Sequence, residues 1–205
     1  KENTRDAIFD AMIRREVFGT SGPRIKLRFF AGWSLDKDLC AKPDLVSIAY
    51  ADGIPMGGDL PPSIENQKPE FLAYASMDPL GQKLEALHLI KGWVDAEGKS
   101  HEKIFDVAGS GDRKVDAITG LLPSVGNTVD VKTASYTNSV GATQLSAVWT
   151  DPAFEAAQQA FYYARVLEIP TPRYSTFDAI ALGVEAPEPS SIQERAISSA
   201  IWYKP

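Results

Sequence analysis

The side chains most often used for metal binding and nucleophilic catalysis are scarce in this chain. Its 205 residues include two histidines, His88 and His101, and one cysteine, Cys40. Neither histidine belongs to an HxH, HExxH or HxxxH motif, whereas a zinc or di-metal site needs several ligands that converge on one point. The sequence therefore predicts no metal site and no cofactor in this segment. Cys40 is expected to be a small packed residue and not a nucleophile.

Motifs for covalent catalysis and nucleotide binding are also absent from the sequence. It contains no G-x-S-x-G elbow, Walker loop or dinucleotide fingerprint. Its acidic residues are scattered, a pattern typical of a solvated surface. A pair of carboxylates brought together in space stays open as an independent catalytic site, but the sequence singles out no catalytic residue.

Two short glycine-containing loops could hold an anion. Residues 21–24 and 110–113 both end in arginine, so backbone amides and a guanidinium group could bind a phosphate or a carboxylate together. The candidate substrate contacts are Ser21 and Arg24 in the first loop and Asp112 and Arg113 in the second. The alternative is that both loops are ordinary turns with a surface arginine.

Aromatic side chains offer a second kind of binding site. Five of them lie on or beside predicted strands and could form a platform for sugar stacking: Trp33, Trp93, Trp149, Tyr162 and Tyr163. Aromatic residues on strands more often pack in a core or against a neighbouring domain. An exposed, coplanar row of rings would favour sugar binding, and buried rings would favour packing.

Alternating hydrophobicity predicts a mainly β protein. The strand candidates are residues 24–29, 45–50, 71–77, 84–94, 101–108, 142–149 and 160–169. Gly98 favours a hairpin between the fourth and the fifth of them. Many strands joined by short turns predict an antiparallel β-sandwich of the immunoglobulin-like type. In this arrangement His88 is expected to be a packed or hydrogen-bonded core residue and His101 to face solvent.

Three segments depart from the strand pattern. Residues 4–17 carry apolar side chains at four-residue spacing and predict an opening helix, with Asn3 or Thr4 available as its N-cap. Residues 109–141 form a long polar connection with one strand candidate at 128–134, and such connections are usually functional or packed against a neighbour. Residues 170–205 place aromatic side chains in a tail rich in proline and serine, which predicts a long tail that wraps around the body.

The overall charge disfavours two classes of partner. A net charge of −6 and an isoelectric point near 5.0 disfavour binding to nucleic acid and to an anionic membrane surface, because both need a basic face. No stretch of the sequence approaches the ~20 consecutive apolar residues of a membrane span.

Several longer stretches of the sequence resemble a known family. They are residues 1–5, 16–25, 125–130, 146–152, 161–173, 192–196 and 201–203. In these stretches the chain resembles a large bacterial family known only as a domain of unknown function. Members of that family look like metal-dependent hydrolases of the PHP (polymerase and histidinol phosphatase) superfamily. The resemblance covers nearly the whole chain.

The resemblance implies a parent protein that is a phosphoesterase- or esterase-type hydrolase. Its divalent metal and metal ligands would lie in an upstream catalytic barrel, and an export signal in many members suggests a periplasmic or secreted protein. Residues 1–20 would be the trailing end of that barrel and residues 21–205 a non-catalytic β-sandwich extension. The opening helix is then expected to mediate self-association in this chain. The competing interpretation is a ligand- or carbohydrate-binding β-sandwich that uses exposed aromatic side chains.

Overall fold

A computed structural model describes residues 2–65, 67–116 and 118–205. The helices are α1 (Arg5–Ile13), α2 (Leu45–Asp52) and α3 (Tyr174–Leu182), with a single 3-10 turn at Leu39–Ala41. The strands are β1 (Phe18–Thr20), β2 (Lys26–Gly32), β3 (Ile54–Pro55), β4 (Asp59–Leu60), β5 (Glu70–Ser76), β6 (Leu84–Val94), β7 (Ser100–Gly109), β8 (Gln144–Thr150), β9 (Ala160–Glu168), β10 (Thr171–Pro172), β11 (Ser191–Ile192), β12 (Arg195–Ser198) and β13 (Ile201–Tyr203).

Two sheets face each other and share a core. In the larger sheet β9 is central: β6 and then β7 lie on one side, and β12 and β13 share the other side, followed by β1 and β4. The smaller sheet has the order β3-β2-β5-β8, and β10 pairs with β11 apart from both. The pairings are antiparallel except for β13 with β4. The prediction of a mainly β, antiparallel fold with a short amino-terminal helix is confirmed, and the facing sheets give it sandwich-like packing.

The inward side chains of both sheets form the main core. Phe29 and Phe71 of the smaller sheet stack with 5.8 Å between ring centroids, and Tyr162 of the larger sheet lies 4.3 Å from Phe71. On β9 the buried and half-buried residues alternate along the strand without a fault. Because successive side chains of a strand point to opposite faces, every second residue of β9 faces away from the core.

Residues 45–50, predicted as a strand, form helix α2 instead. Leu45, Ile48 and Ala49 lie at helical spacing and pack with Phe30 and Leu72 on the outer face of the smaller sheet. The segment is rich in residues that favour strands, but burial against the sheet outweighs this local preference.

Helix α1 is capped as predicted but is shorter. Thr4 Oγ1 accepts a hydrogen bond from the Ala7 amide at 3.3 Å. The helix ends at Ile13 and not at residue 17, because Arg15 adopts a left-handed backbone conformation with φ of 60°. The Arg15 backbone crosses Gly57, where a Cβ would lie 2.2 Å from the Arg15 carbonyl oxygen. A glycine is therefore required at that crossing.

The two long segments behave differently from each other. Residues 109–141 form the predicted polar connection, but the strand expected at 128–134 is wrong, and Asp130 and Ser135 form a single bridge there. The tail beyond residue 170 does more than wrap the body. It supplies α3 and the strands β10 to β13, and β12 and β13 complete the larger sheet beside β9.

Candidate functional site

Three polar side chains lie side by side on the outer face of the larger sheet. The strand register pairs His88 of β6 with Asp106 of β7 and with Arg165 of β9. His88 Nε2 lies 2.9 Å from Asp106 Oδ1, and Arg165 Nη2 lies 3.1 Å from His88 Nδ1. A guanidinium group can only donate, so Nδ1 accepts and the ring hydrogen is on Nε2, facing Asp106. The imidazole is thus fixed in one tautomer.

Asp106 is held as a carboxylate. Burial acts to raise its pKa, but the contact with His88, the hydrogen bond that the Leu122 amide donates to Oδ2, and the charge of Arg113 outweigh it and hold the pKa of Asp106 below its ordinary value. Among the residues that the structure describes, none donates to Oδ1 with good hydrogen-bond geometry, so the contact of Oδ1 with His88 is mainly electrostatic. The row therefore presents a cation, an imidazole and an anion on three neighbouring strands.

Arg113 lines the same cleft as this row. Its Nε donates to Ser110 O at 2.8 Å, Nη1 donates to Pro123 O at 2.6 Å and to Glu85 Oε1 at 3.3 Å, and Nη2 donates to Glu85 O and Ser110 Oγ. The fork geometry of a guanidinium group suits several acceptors at once. Arg113 thus fastens the loop after β7 onto β6.

Glu85 is the centre of the polar network around Arg113. Its side chain is 9% exposed and also accepts hydrogen bonds from the Val125 amide, at 2.8 Å, and from Gln193 Nε2. Gln193 Nε2 reaches Glu168 O as well, at 2.9 Å. One buried carboxylate therefore ties the long loop, β6 and the segment before β12 together.

These residues surround a cleft of about 250 Å³. His88, Asp106 and Arg165 line it, and Leu121 and Leu122 of the long loop contribute an apolar wall. Within the part of the chain that the structure describes, no hydroxyl or thiol is hydrogen-bonded to the His88 ring. The cleft can therefore hydrogen-bond a polar ligand.

The predicted anion contacts are only partly brought together. Arg113 lines the cleft, whereas Ser21, Arg24 and Asp112 do not. Ser21 Oγ accepts a hydrogen bond from the Arg195 amide at 2.8 Å, which fixes the end of β1 on β12. The Arg24 side chain is exposed and Asp112 is exposed on its loop. Anion binding by these four residues stays a prediction.

The two histidines differ from each other as expected, with one correction. His88 is hydrogen-bonded and its side chain is 12% exposed, but it points to the outer face of the sheet and not into the core. The His101 side chain is 32% exposed, stacks on Trp93 with centroids 5.2 Å apart, and lies 2.6 Å from Asp95 Oδ2. It is a surface residue fixed at the hairpin.

The five aromatic residues considered from the sequence do not form one exposed row. Trp33, Trp149 and Tyr162 pack in or against the core, as Trp93 also does beside the hairpin. Tyr163 faces outward on β9. These five side chains therefore fit the packing expected of aromatic residues on strands, because strand alternation sends most of them inward.

A different aromatic row occupies the outer face. Phe161 and Tyr163 have centroids 6.4 Å apart and planes within 14°, and Trp202 of β13 lies 5.1 Å from Phe161 at 44°. The signal was available in β9, where residues 161, 163 and 165 share one face. The position of Trp202 beside them depends on the pairing of β13 with β9, which the sequence did not reveal.

A family model matches residues 1–205, the whole chain, and describes a protein of unknown function, DUF3604. This chain belongs to the DUF3604 family. No curated protein and no solved structure matches it. The sequence resemblance to a domain of unknown function is thereby confirmed.

The DUF3604 chain shows no preformed metal centre in its described parts. Residues 2–65, 67–116 and 118–205 contain no group of three or more His, Cys, Asp or Glu side chains placed to hold a metal ion. Across the same residues, none of the helices has the length and the apolar character needed to cross a membrane.

Proposed function

We propose that this DUF3604 chain is a non-catalytic β-sandwich extension of a PHP-like metal-dependent hydrolase, and that helix α1 contacts the catalytic domain. The observation that carries the proposal is the exposure of α1. Ile8, Phe9, Met12 and Ile13 are between 49% and 67% exposed, and no residue of this helix is buried. Exposed apolar surface of this kind is typical of a protein interface.

The groove beside α1 suits a protein partner. It lies between α1 and α2 and has a volume of about 920 Å³. Its lining combines apolar side chains with a charged cluster, in which Arg14 Nη2 lies 3.2 Å from Glu16 Oε2 and the Tyr50 hydroxyl donates to Glu16 Oε1. Arg28 of β2 completes the lining. Arginine and tyrosine beside apolar surface are the composition favoured at interfaces.

The attachment of α1 also supports a docking role. Its carboxy-terminal end is fixed where the Arg15 backbone crosses Gly57, and β1 then pairs with β12. The helix is therefore anchored at one end while its apolar residues stay open to solvent. In this proposal the catalytic metal, its ligands and the hydrolysed phosphoester or ester belong to the partner domain.

The first test uses the isolated chain. Incubated with Zn²⁺, Mn²⁺ or Mg²⁺ and panels of phosphoesters and carboxylic esters, it should show no turnover. Metal-dependent turnover that is lost in His88→Ala would overturn the non-catalytic role, because the cleft would then be an active site.

The second test uses a polypeptide that carries both domains. Phe9→Ser combined with Met12→Ser should lower hydrolysis or the melting temperature of the catalytic domain, because two central apolar contacts are lost. Leu80→Ser, at a residue that is 92% exposed in the turn between β5 and β6, is the matched control. Hydrolysis and melting equal to the control would contradict docking through α1.

A further inference from the structure

We infer that the outer face of the larger sheet is a binding site for a neutral carbohydrate chain. Sugar rings would stack on Phe161, Tyr163 and Trp202, and hydroxyl groups would bind at the row formed by Arg165, His88 and Asp106. This face is on the opposite side of the sandwich from the groove between α1 and α2, which adjoins the smaller sheet. The inference is therefore independent of the docking role proposed for α1.

Gly92 leaves room for the Phe161 ring of the aromatic row. It is the strand neighbour of Phe161 across β6 and β9, and a Cβ at Gly92 would lie 2.2 Å from Phe161 Cζ. The Phe161 ring consequently lies across the neighbouring strand and occupies the space that any side chain would fill. The Tyr163 plane is within 14° of the Phe161 plane, so the two rings share one orientation.

Trp202 extends the platform on the other side of Phe161. It is the strand neighbour of Phe161 across β9 and β13, and its residue surface is 40% exposed. Three rings on two adjacent strands, β9 and β13, are the apolar contact area that the carbon–hydrogen face of a pyranose requires. Large, partly exposed aromatic side chains of this kind are uncommon on a face that contacts only water.

Polar groups continue the same face beyond the rings. Arg165 follows Tyr163 by two residues on β9 and so projects to the same side. Its Nε and Nη2 contact His88, while Nη1 makes no hydrogen bond to a residue that the structure describes. Hydrogen-bonding groups of fixed orientation next to a hydrophobic wall are what a polyhydroxylated ligand needs. The cleft behind Arg165 can receive the end of such a chain.

The charges in the cleft indicate a neutral ligand. Asp106 lies in the same row as Arg165 with His88 between them, and Glu85 pairs with Arg113 at 3.3 Å. Two anions and two cations therefore balance, so no uncompensated positive charge is left to attract a phosphate or a carboxylate. This balance separates the proposed ligand from the anion considered for Arg113 on sequence grounds.

Calorimetric titration with cellohexaose, xylohexaose and maltohexaose tests the inference, with hexagalacturonate as the anionic comparison. At least one neutral probe should bind saturably to the wild-type chain. Trp202→Ala and Tyr163→Ala should each weaken that binding about tenfold, from loss of ring contact. Phe177→Ala removes an aromatic ring from α3 that is 51% exposed and should leave the affinity unchanged.

Gly92→Ala provides a test in which none of the ligand-binding side chains is truncated. The new methyl group should push the Phe161 ring off the sheet and weaken binding about as much as Trp202→Ala does. Circular dichroism checks that each variant is folded. If Gly92→Ala does not fold, Arg165→Lys takes its place, since lysine keeps the charge but loses the planar donors and should also weaken binding.

Three results would overturn the inference. One is that none of the three neutral probes binds, or that hexagalacturonate alone binds. Another is that Trp202→Ala and Tyr163→Ala bind like the wild type. The third is that light scattering shows a wild-type dimer that Trp202→Ala dissociates, because a second copy of the chain would then cover this face.

Discussion

Lys91 and Asp151 form an ion pair inside the sandwich, with 2.7 Å between Nζ and Oδ2 and side chains that are 4% and 0% exposed. The Tyr162 hydroxyl donates to the same carboxylate oxygen at 2.7 Å, and Lys91 Nζ also donates to Ala153 O at 2.7 Å. The cluster fastens the connection between β8 and β9 to the inner face of β6. Burial, together with the negative charge of Asp151, raises the pKa of Tyr162.

Breaking this pair should be costly. Asp151→Asn or Lys91→Met should each lower the free energy of unfolding by about 3–5 kcal/mol, because one buried charge is left without its partner. Urea unfolding at pH 7 measures the change. Replacing both residues together, with Met and Leu, should recover much of the loss. Lys42→Met removes the exposed pair between Lys42 and Asp36 and should change little. Equal effects for both sites would contradict the prediction.

Glu168 should make stability depend on pH. The residue is completely buried, and no donor from residues 2–65, 67–116 or 118–205 is hydrogen-bonded to its carboxylate oxygens. Burial, helped by Glu194 and Asp78, raises its pKa to about 7. The native chain therefore keeps this proton at pH values where the unfolded chain has lost it. The contribution of Glu168 to the free energy of unfolding should therefore fall as pH rises from about 4.5 to about 7. Above about pH 7 this contribution should stay constant.

The substitution that tests this is Glu168→Gln. It should flatten the pH dependence and raise the free energy of unfolding at pH 8 by about 1–3 kcal/mol, because no buried charge has to form. Urea unfolding at pH 5 and pH 8 measures the free energy of unfolding at each pH and hence its pH dependence. Glu97→Gln, at an exposed position of the hairpin turn, is the control. Parallel pH curves for Glu168→Gln and the wild type would rule out a raised pKa at this position.

Arg113 and Arg24 should respond differently to removal. Arg113→Ala should lower the free energy of unfolding by about 2–4 kcal/mol, because Glu85 and several carbonyl groups lose their donor. Arg113→Lys should recover little of it, since an ammonium group cannot replace the fork. Arg24→Ala should leave the melting temperature unchanged. An unchanged melting temperature for Arg113→Ala, with weaker anion binding, would instead support the substrate contact expected from the sequence.

His88 should contribute to stability through the polar row. His88→Ala should lower the free energy of unfolding by about 1–3 kcal/mol, because Asp106 and Arg165 lose the ring between them. Thermal unfolding measures this loss of stability. His101→Ala, at the more exposed hairpin site, should cause a smaller loss. A melting curve for His88→Ala that overlays the wild type would show that the row is not structural.

Helix α1 should drive association of the chain with itself when no other partner is present. Light scattering over a range of concentrations should show particles larger than a monomer, and Phe9→Ser with Met12→Ser should abolish them. Substitution is preferable to deletion of residues 1–18, because Phe18 belongs to β1 and pairs with Ser198. Leu80→Ser should associate like the wild type. A wild-type chain that is monomeric at every concentration would contradict the prediction.

Some elements follow from the sequence alone. The alternation of residues 84–94 and 160–169 predicts β6 and β9 nearly residue for residue, and Gly98 supplies the left-handed turn between β6 and β7. Thr4, one of the two candidate caps, is the N-cap of α1. These features depend on side chains close to one another in the chain, so a short window of sequence contains their physical cause.

The candidate sites depend on pairings between distant segments. Lys91 interrupts the apolar side chains on the inner face of β6. It is accommodated there because it pairs with Asp151, which is 60 residues away in the sequence. Trp202 joins Phe161 because the tail supplies β13, and His88 meets Asp106 and Arg165 through the registers of β7 and β9. The alternation of each strand determined which side chains share a face. Tertiary structure decided which strands lie side by side, because register is set by the summed burial and hydrogen bonding of whole sheets and not by any local pattern.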